Sequence, residues 1–218
     1  MHSFQINPLS TTRGTGLFLL PMPHPAGRLI IVSAPSGAGK TTLVHHLLAQ
    51  PALGLRFSVS ATSRPMRPGE VDGRDYHFIS PQEFRQRVAQ GDFLEWEEVY
   101  PGRLYGSLRS EVDSMLREGH NVIFDVDVVG GLHIKEVYGP RALAVFIQPP
   151  SVEALRQRLE ARNTEDAATL AMRIGKATHE LGFGPRFDTV VVNEHLEQAK
   201  DEVVQRVSAF LASASAEQ

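Results

Sequence analysis

A glycine-rich turn between an apolar run and a helical pattern constrains this chain more than any other feature. The turn reads SAPSGAGKTT and occupies positions 33–42. The run before it, RLIIVS (28–33), is short and continuously apolar, as expected of a strand buried on both faces. After it, leucine and valine recur at helical spacing until Pro51 ends the helix. A strand, a glycine-rich loop and a helix in this order predict a phosphate-binding P-loop.

The loop contains the parts that a phosphate site needs. In a P-loop, glycines let consecutive backbone N–H groups point at phosphate oxygens, a lysine reaches the β- and γ-phosphates, and a hydroxyl ligates magnesium. These parts are supplied here by Gly37, Gly39, Lys40 and Thr41. Ala34 replaces the first glycine of the pattern, at a position that begins the turn and can accept a methyl group. The helix that follows adds its positive N-terminal end.

We therefore expect the loop to bind a nucleoside triphosphate together with Mg²⁺. The expected binding residues of the loop are Ala34, Pro35, Ser36, Gly37, Ala38, Gly39, Lys40, Thr41 and Thr42. Thr41 is the expected magnesium ligand, and Asp127 is a candidate to hold the metal through water. Such a loop does not by itself distinguish a kinase from a GTPase or a motor protein.

The distribution of charge indicates where anions bind. The net charge is only −3, but six of the 22 bases and none of the 25 acids precede Glu70. This asymmetry predicts that the N-terminal third meets anions, and the low net charge disfavours a general nucleic-acid partner. The chain has no cysteine, which excludes disulfides and thiolate metal sites and suits a reducing cytoplasm. No apolar run approaches the roughly 18 residues that span a bilayer, so we expect a cytoplasmic protein without a membrane partner.

Predicted strands alternate with predicted helices along the chain. Strands are predicted at 121–125, 142–147 and 189–192, and helices at 107–118, 151–162, 166–181 and 195–213. This alternation predicts an α/β fold, with a three-layer α/β/α core around a parallel sheet. Residues 60–106 read differently, and we interpret them as an inserted small α+β substrate-binding subdomain with a helix that starts at Ser80. Residues 1–27 show no clear period and are expected to form a flexible N-terminal extension.

An arginine-rich segment, SATSRPMRPGEVDGRDYHF (60–78), follows the next short strand. Arg64 and Arg67 flank a proline-stiffened turn in it. Two guanidinium groups on a rigid backbone suit a second phosphate, because arginine pairs with phosphate oxygens in a bidentate manner. The hydroxyl groups of Tyr76 and Tyr105 can add hydrogen-bond donors to the same phosphate.

A carboxylate among apolar residues indicates which base accompanies this second phosphate. Glu95 lies in the apolar stretch FLEW. Guanine presents two adjacent donors on its Watson–Crick edge, and an ionised carboxylate can accept from both, whereas adenine presents an acceptor that a carboxylate repels. Glu95, helped by Asp125, would therefore favour guanine. Ser60 and Ser107 can donate to the guanine O6 atom.

Taken together, the motifs resemble the guanylate kinase family in order and spacing. They are SAPSGAGKTT, SATSRPMRPGEVDGRDYHF, FLEW with YGS, a strand that ends in DVD, PPSVEALRQRLEAR and VVVN. The resemblance covers residues 28–206. It implies an enzyme that transfers the ATP γ-phosphate to GMP, and to dGMP, giving ADP and GDP, with Mg²⁺ bound with ATP.

The resemblance also implies a three-part molecule. The core would comprise 28–59, 107–150 and 183–206, the GMP-binding subdomain 60–106 and a mobile lid 151–182, with 207–218 as a C-terminal helix end and tail. The GMP phosphate would be held by Arg64, Arg67, Tyr76 and Tyr105, and the guanine would be read by Ser60, Glu95, Ser107 and Asp125. Asn193 would contact the adenine of ATP.

Positive charge on the migrating phosphoryl group is the main requirement of phosphoryl transfer. The resemblance assigns Lys40 and three lid arginines to this catalytic role: Arg158, Arg162 and Arg173. Arg158 and Arg162 are four residues apart on a predicted helix and so share one face. Closure of the lid would bring the arginines to the phosphates and exclude water.

Three departures from the family pattern accompany the resemblance. Val129 stands where glutamine is usual before Gly130, Asn163 stands where glycine is usual, and the segment 181–189 lacks the customary tyrosine. Two alternatives to the enzyme remain at this stage. One is a non-catalytic guanylate-kinase-like binding module, although such modules typically lose the loop lysine. The other is a P-loop kinase for another small phosphorylated acceptor. A monomer or a homodimer is equally compatible with the sequence.

Overall fold

The computed structural model describes residues 27–161 and 167–213. The expected extension, apart from Gly27, and the expected tail beyond residue 213 lie outside the described residues. The chain folds as two compact units. We call residues 28–57 with 121–213 the core unit, and 58–120, to which Gly27 also belongs, the insert unit. Within the described ranges, none of the helices combines the length and hydrophobicity that a membrane span requires.

The secondary structure follows the alternating pattern of the sequence. The strands of the described residues are β1 (Leu29–Ser33), β2 (Leu55–Phe57), β3 (Ala61–Thr62), β4 (His77–Phe78), β5 (Phe93–Tyr100), β6 (Arg103–Leu108), β7 (Asn121–Asp125), β8 (Ala142–Gln148) and β9 (Thr189–Val192). The α-helices are α1 (Lys40–Leu48), α2 (Pro81–Gln90), α3 (Arg109–Arg117), α4 (Val128–Tyr138), α5 (Val152–Glu160), α6 (Ala167–Leu181) and α7 (Leu196–Ser213). Single 3₁₀ turns occupy Pro51–Leu53, Gly139–Arg141 and Gly184–Arg186.

The core unit is a parallel five-stranded sheet covered by helices on both faces. The strand order is β2-β7-β1-β8-β9, and every pairing in it is parallel. On one face, Ile30 and Val32 of β1 pack with apolar residues of α1 and α7. On the other face, Val128 of α4 packs with Ala144 and Phe146 of β8. The predicted three-layer α/β/α core is therefore confirmed.

The insert unit is built on a mixed four-stranded sheet in the order β4-β3-β6-β5. β3 pairs with β4 in parallel and with β6 antiparallel, and β5 pairs with β6 antiparallel. Phe84 of α2 is fully buried and stacks on Phe93 of β5 with ring centroids 4.3 Å apart. The predicted helix start is confirmed, because the Ser80 hydroxyl accepts a hydrogen bond of 3.1 Å from the backbone N–H of Glu83.

One helix of the core unit was missed by the sequence pattern. α4 begins VVGG, and neither β-branched residues nor glycines favour a helix. Packing overrides this weak propensity, because Gly131 lies directly on β1. A Cβ atom added at Gly131 would be 2.4 Å from Ser33 Oγ and 3.1 Å from Ile31 Cγ2. The glycine therefore sets how closely α4 approaches the sheet.

Two glycine-to-alanine changes test this close approach. Gly131→Ala should lower the free energy of unfolding by about 1–3 kcal/mol, because the added methyl group overpacks the α4–β1 contact. The matched change Gly175→Ala in α6 meets no atom within 4 Å, so it should raise stability by up to about 1 kcal/mol through helix propensity. Denaturant unfolding measures both. A Gly131→Ala variant at least as stable as the wild type would contradict the account.

Candidate nucleotide site

The loop between β1 and α1 has the backbone geometry of a phosphate cradle. Gly37 has φ 91° and Gly39 has φ 96°, both in the left-handed region that side chains disfavour. Space is also limiting at both glycines. A Cβ atom on Gly39 would lie 2.3 Å from Asn193 Nδ2, and one on Gly37 would lie 3.0 Å from Leu159 Cδ2. Neither position can carry a side chain without moving its neighbour.

Ala34 occupies a different environment from these two glycines. It is 6% exposed and packs in the hydrophobic cluster of β1, α1 and α7. The methyl group therefore fills space in the core. This explains how the loop accepts alanine where the pattern begins with glycine.

Lys40 is held by the carboxyl end of β7. Its Nζ forms an ion pair with Asp125 and donates a hydrogen bond of 2.9 Å to the carbonyl of Val126. The Thr41 hydroxyl donates to the other Asp125 carboxylate oxygen at 3.2 Å. Asp125, expected to help read guanine, thus belongs to the core unit and contacts the P-loop lysine there. Because β7 and β1 are parallel neighbours, their carboxyl ends bring these side chains together.

Asp127 caps the helix that follows β7. Its Oδ1 accepts a hydrogen bond of 2.6 Å from the backbone N–H of Gly130, and its carbonyl accepts one of 2.9 Å from the Ser33 hydroxyl. The second carboxylate oxygen has no hydrogen bond among the described residues. No cluster of three or more histidines or carboxylates that could hold a metal occurs in residues 27–161 and 167–213.

The helix α6 contacts the P-loop at Ser36. Arg173 donates from Nη2 to the Ser36 hydroxyl at 2.6 Å, which joins one predicted lid arginine to the loop. Glu180 accepts from the backbone N–H of Ser36, and its side chain is only 12% exposed. Burial, together with the negative charge of Asp127, raises the pKa of the Glu180 carboxyl, although Lys176, 3.9 Å away, opposes this. Glu180 was not predicted from the sequence, because the helical pattern does not distinguish it from an acid on the solvent-exposed face of a helix.

Arg158 and Asn193 meet beside the loop. Arg158 donates from Nη2 to the Asn193 carbonyl at 2.8 Å, and Asn193 Nδ2 donates to the Ala38 carbonyl at 2.8 Å. The Nη1 atom of Arg158 is buried and has no hydrogen-bond partner among the described residues. Arg162, the other arginine of this predicted face, and Asn163 lie outside the described residues.

A second cationic group forms in the insert unit around Arg64. This side chain is buried at 6% exposure, and its guanidinium pairs with Glu70 in a bidentate manner, with N···O distances of 2.7 and 2.6 Å. Glu70 also accepts from the backbone N–H of Arg67 at 2.7 Å. The hydrogen bonds to Glu70 raise the pKa of Arg64 above its usual range. Those from Arg64 and Arg67 lower the pKa of Glu70 to about 2.

The structure brings both predicted tyrosines to this arginine. The guanidinium carbon of Arg64 lies 5.0 Å from the centre of the Tyr76 ring, and Tyr105 hydrogen-bonds to the same side chain. The two tyrosine rings are edge to face at 5.8 Å. Burial beside Tyr105 raises the pKa of the Tyr76 hydroxyl. Arg67 differs from Arg64, because its exposed guanidinium has no hydrogen-bond or ion-pair partner among the described residues.

Glu95 and Ser107 form a pair across two strands of the insert unit. They are direct partners in the β5–β6 register, and the Ser107 hydroxyl donates to Glu95 Oε1 at 2.7 Å. Ser107 is almost fully buried, at 1% exposure. Ser60 precedes β3 in the same unit, and its carbonyl accepts from the backbone N–H of His77 at 3.0 Å. A carboxylate and a hydroxyl thus face one another on a single sheet.

Glu70 is a further residue that sequence reasoning missed. The turn RPGE does contain a signal, since a proline and a glycine between Arg67 and Glu70 turn the carboxylate back towards the backbone N–H of Arg67. Because the sequence pattern does not show the geometry of this turn, it predicted that both arginines are available to a phosphate. In the structure one of them is held by Glu70, and only the other presents an unpaired guanidinium among the described residues.

These features define a class of protein. A glycine-rich loop with a lysine and a threonine, at the carboxyl end of a parallel sheet with helices on both faces, is the site of P-loop nucleotide-binding proteins. The insert unit holds a separate cluster of arginine, tyrosine and glutamate side chains. Comparisons with known proteins narrow the class further.

The family model of guanylate kinase matches residues 26–210. A guanylate kinase of Bacteroides fragilis is 52% identical over 191 residues, covering 87% of this chain and 93% of that protein. One of Salinibacter ruber is 47% identical over 190 residues, covering 87% of this chain and 100% of that protein. A crystal structure of guanylate kinase from Anaplasma phagocytophilum matches with a TM-score of 0.65 and 28% identity, covering 84% of this chain and 86% of that one.

The chain belongs to the guanylate kinase family. Its identity to these relatives extends over most of both chains, so the resemblance of the motifs is confirmed. The curated relatives are guanylate kinases, which are ATP:GMP phosphotransferases, and such kinases generally need a divalent metal.

The Arg64–Glu70 pair predicts a pH dependence of stability. The pKa of Glu70 falls from 4.5 to about 2 on folding, so its contribution is complete above pH 4.5 and is lost as the pH falls towards 2. Glu70→Gln should therefore lower Tm at pH 7, and the difference from the wild type should shrink at pH 3.5. Thermal unfolding at both values measures it, with Glu83→Gln on α2 as a control for an exposed ion pair. A difference that stays the same at both pH values would contradict the assignment.

Proposed function

We propose that this chain transfers the γ-phosphate of ATP reversibly to GMP, and to dGMP, giving ADP and GDP in purine nucleotide metabolism. The observation that carries the proposal is that one chain of the guanylate kinase family combines an intact P-loop with a Glu95–Ser107 pair whose serine is buried. The loop binds ATP, the phosphoryl donor. The pair binds a base that offers two adjacent hydrogen-bond donors.

The donor site is the P-loop of the core unit. Its amides and the N-terminal end of α1 bind the phosphates of ATP, with loop residues Ala34, Pro35, Ser36, Gly37, Ala38, Gly39, Lys40, Thr41 and Thr42. Lys40 exchanges part of its contact with Asp125 for the β- and γ-phosphates, because one ammonium group has three donors. The resemblance assigns Asn193, beside Gly39, to the adenine of ATP, but its side-chain amide donates to the Ala38 carbonyl of the P-loop, which favours a role in shaping the loop.

Magnesium fits the oxygen atoms around the lysine. Mg²⁺ prefers oxygen ligands, keeps several waters, and is usually bound through one or two carboxylates together with substrate phosphates. Thr41 would be its hydroxyl ligand, and the spare carboxylate oxygen of Asp127 would hold a metal-bound water. When bound, the ion neutralises charge on the phosphate oxygens. Asp125 accepts from the Thr41 hydroxyl and keeps the threonine oriented for that role, while Lys40 holds Asp125 through the ion pair.

The acceptor site is the Arg64 cluster of the insert unit. We assign the GMP phosphate to Arg67, whose guanidinium has no hydrogen-bond or ion-pair partner among the described residues, and to Arg64, Tyr76 and Tyr105. Arg64 contributes its charge while Glu70 fixes its position. A buried guanidinium with a fixed partner loses little side-chain entropy when a phosphate binds. Glu70 therefore positions the acceptor site without being assigned a contact to GMP.

The guanine is assigned to oxygen-bearing side chains of the insert unit. Glu95 accepts from the two donors of the Watson–Crick edge, while Ser107 and Ser60 complete the set in that unit. Asp125, the fourth predicted contact, belongs to the core unit and binds Lys40 and Thr41 there. Ser107 already donates to Glu95 at 2.7 Å, so one carboxylate oxygen is fixed before the base arrives. Such a carboxylate discriminates strongly between guanine and adenine, because adenine would present a hydrogen-bond acceptor to it.

Positive charge on the migrating phosphoryl group comes from Lys40, Arg158 and Arg173, with Arg162 as the further candidate outside the described residues. Arg158 has one buried nitrogen without a partner among the described residues, as expected of a group that serves a phosphate. Phosphoryl transfer needs alignment and electrostatic stabilisation more than covalent chemistry. We propose that 151–182 acts as a lid that excludes water, that 60–106 binds GMP, and that the enzyme is a cytoplasmic monomer or homodimer.

The acceptor preference tests this function. ADP release, followed in a coupled assay with GMP, dGMP, AMP, UMP and CMP, should be fast only with the guanine nucleotides. Glu95→Gln should lower kcat/KM for GMP by about 10- to 100-fold, because hydrogen bonds to a charged group are worth about 1.5–3 kcal/mol. Glu98→Gln, the same change on the opposite face of β5, is the control. Equal turnover of AMP and GMP by the wild type would sink the proposal.

A further inference from the structure

Asn193 makes contacts that a residue for adenine alone does not need. It follows β9 directly and is 5% exposed. Its backbone N–H donates to the Gln148 carbonyl of β8 at 2.7 Å, which fixes the position of the residue. Its side chain donates to the Ala38 carbonyl at 2.8 Å. The amide nitrogen therefore donates to the backbone of the P-loop.

The bond to Ala38 bears on the shape of the cradle. A P-loop works because its N–H groups point inward, which requires its carbonyls to point away from the phosphates. Asn193 donates a hydrogen bond to one such carbonyl, that of Ala38 in the middle of the loop. The adjacent Gly39 has φ 96° and approaches the same amide so closely that a Cβ atom would be 2.3 Å from Nδ2. The asparagine and the glycine are thus fitted to each other.

The main chain of the same residue holds a catalytic arginine. The Asn193 carbonyl accepts from Arg158 Nη2 at 2.8 Å. This bond leaves Nη1, which is buried and without a partner among the described residues. One residue therefore contacts the P-loop through its side chain and Arg158 through its backbone.

We propose that Asn193 is a positioning residue that keeps the P-loop open to phosphate and sets Arg158 at a fixed place beside it. The inference rests on the proposed donor role of the P-loop. It differs from a contact to adenine, because a residue that shapes the phosphate cradle acts on every nucleoside triphosphate alike. Pre-set donors of this kind need not reorganise during the reaction.

Asn193→Asp provides the test, since it keeps the shape of the side chain but turns an acceptor towards the Ala38 carbonyl. With GMP as acceptor, kcat/KM should fall about tenfold for ATP and equally for ITP, because a lost hydrogen bond is replaced by repulsion. KM for GMP should stay unchanged. Asn193→Ala, which removes the donor without adding charge, should show the same pattern more weakly.

Asn121→Asp is the matched control. The side chain of Asn121 also donates to a backbone carbonyl of the core unit, that of Leu53, at 3.1 Å. Asn121 is the first residue of β7, however, whereas the P-loop side chains lie at the carboxyl end of that strand. A variant that only loses stability should show a lower Tm with an unchanged kcat/KM for both donors. Asn121→Asp is expected to behave in this way, and Asn193→Asp is not.

A double-mutant cycle examines the link to Arg158. The losses in kcat caused by Asn193→Asp and Arg158→Lys should depart from additivity by more than about threefold, because the two residues share one junction. The cycle of Asn121→Asp with Arg158→Lys should be additive. Additive losses in the first cycle would overturn the link.

The remaining outcomes separate this inference from the proposed function. A fall for ATP alone would make Asn193 an adenine contact and overturn the inference, as would unchanged kcat/KM for both donors. If the wild type releases no ADP in the presence of GMP, the proposed function fails and the inference fails with it. If the wild type is active and Asn193→Asp behaves like Asn121→Asp, only the inference fails.

Discussion

The ion pair between Lys40 and Asp125 joins the first residue of α1 to the last residue of β7. The geometry of the donor site depends on it, because a lysine that follows a left-handed glycine could otherwise point in many directions. Both side chains are partly shielded from water, so each would lose solvation without an equivalent gain if the other were absent. The parallel pairing of β1 with β7 supplies the required proximity.

Other parts of the core unit reach the same loop from separate directions. α6 contributes Arg173 and Glu180 at Ser36, and β9 contributes Asn193 at Ala38. A loop held at three points changes little when charge develops on a phosphate, and such preorganisation is the main source of electrostatic catalysis. The insert unit follows the same principle, since Glu70 holds Arg64 before any anion arrives.

The architecture could be predicted where one local rule acts. Buried apolar runs predicted β1, β7, β8 and β9, and the pattern of glycine, lysine and threonine predicted the loop. α4 was missed because its VVGG start forms a helix only through contact with β1, which no local pattern contains. The contacts of Glu70, Glu180 and Asn193 were missed for a related reason. Each contact joins the residue to a partner that only the folded chain brings close. From the sequence alone, Glu70 is an acid near arginines, Glu180 an acid on a helix and Asn193 an asparagine after a strand.

The central claim is that the two nucleotides are bound by different cationic groups, the donor through Lys40 and the acceptor through Arg67. Calorimetric titration of wild type, Lys40→Met and Arg67→Ala with GMP and with a non-hydrolysable ATP analogue tests it most directly. Lys40→Met should weaken the ATP analogue by more than about tenfold and leave GMP binding unchanged, and Arg67→Ala should do the reverse, since each loses a charge-assisted contact to one phosphate. Either variant losing both ligands equally, or neither, would contradict the claim.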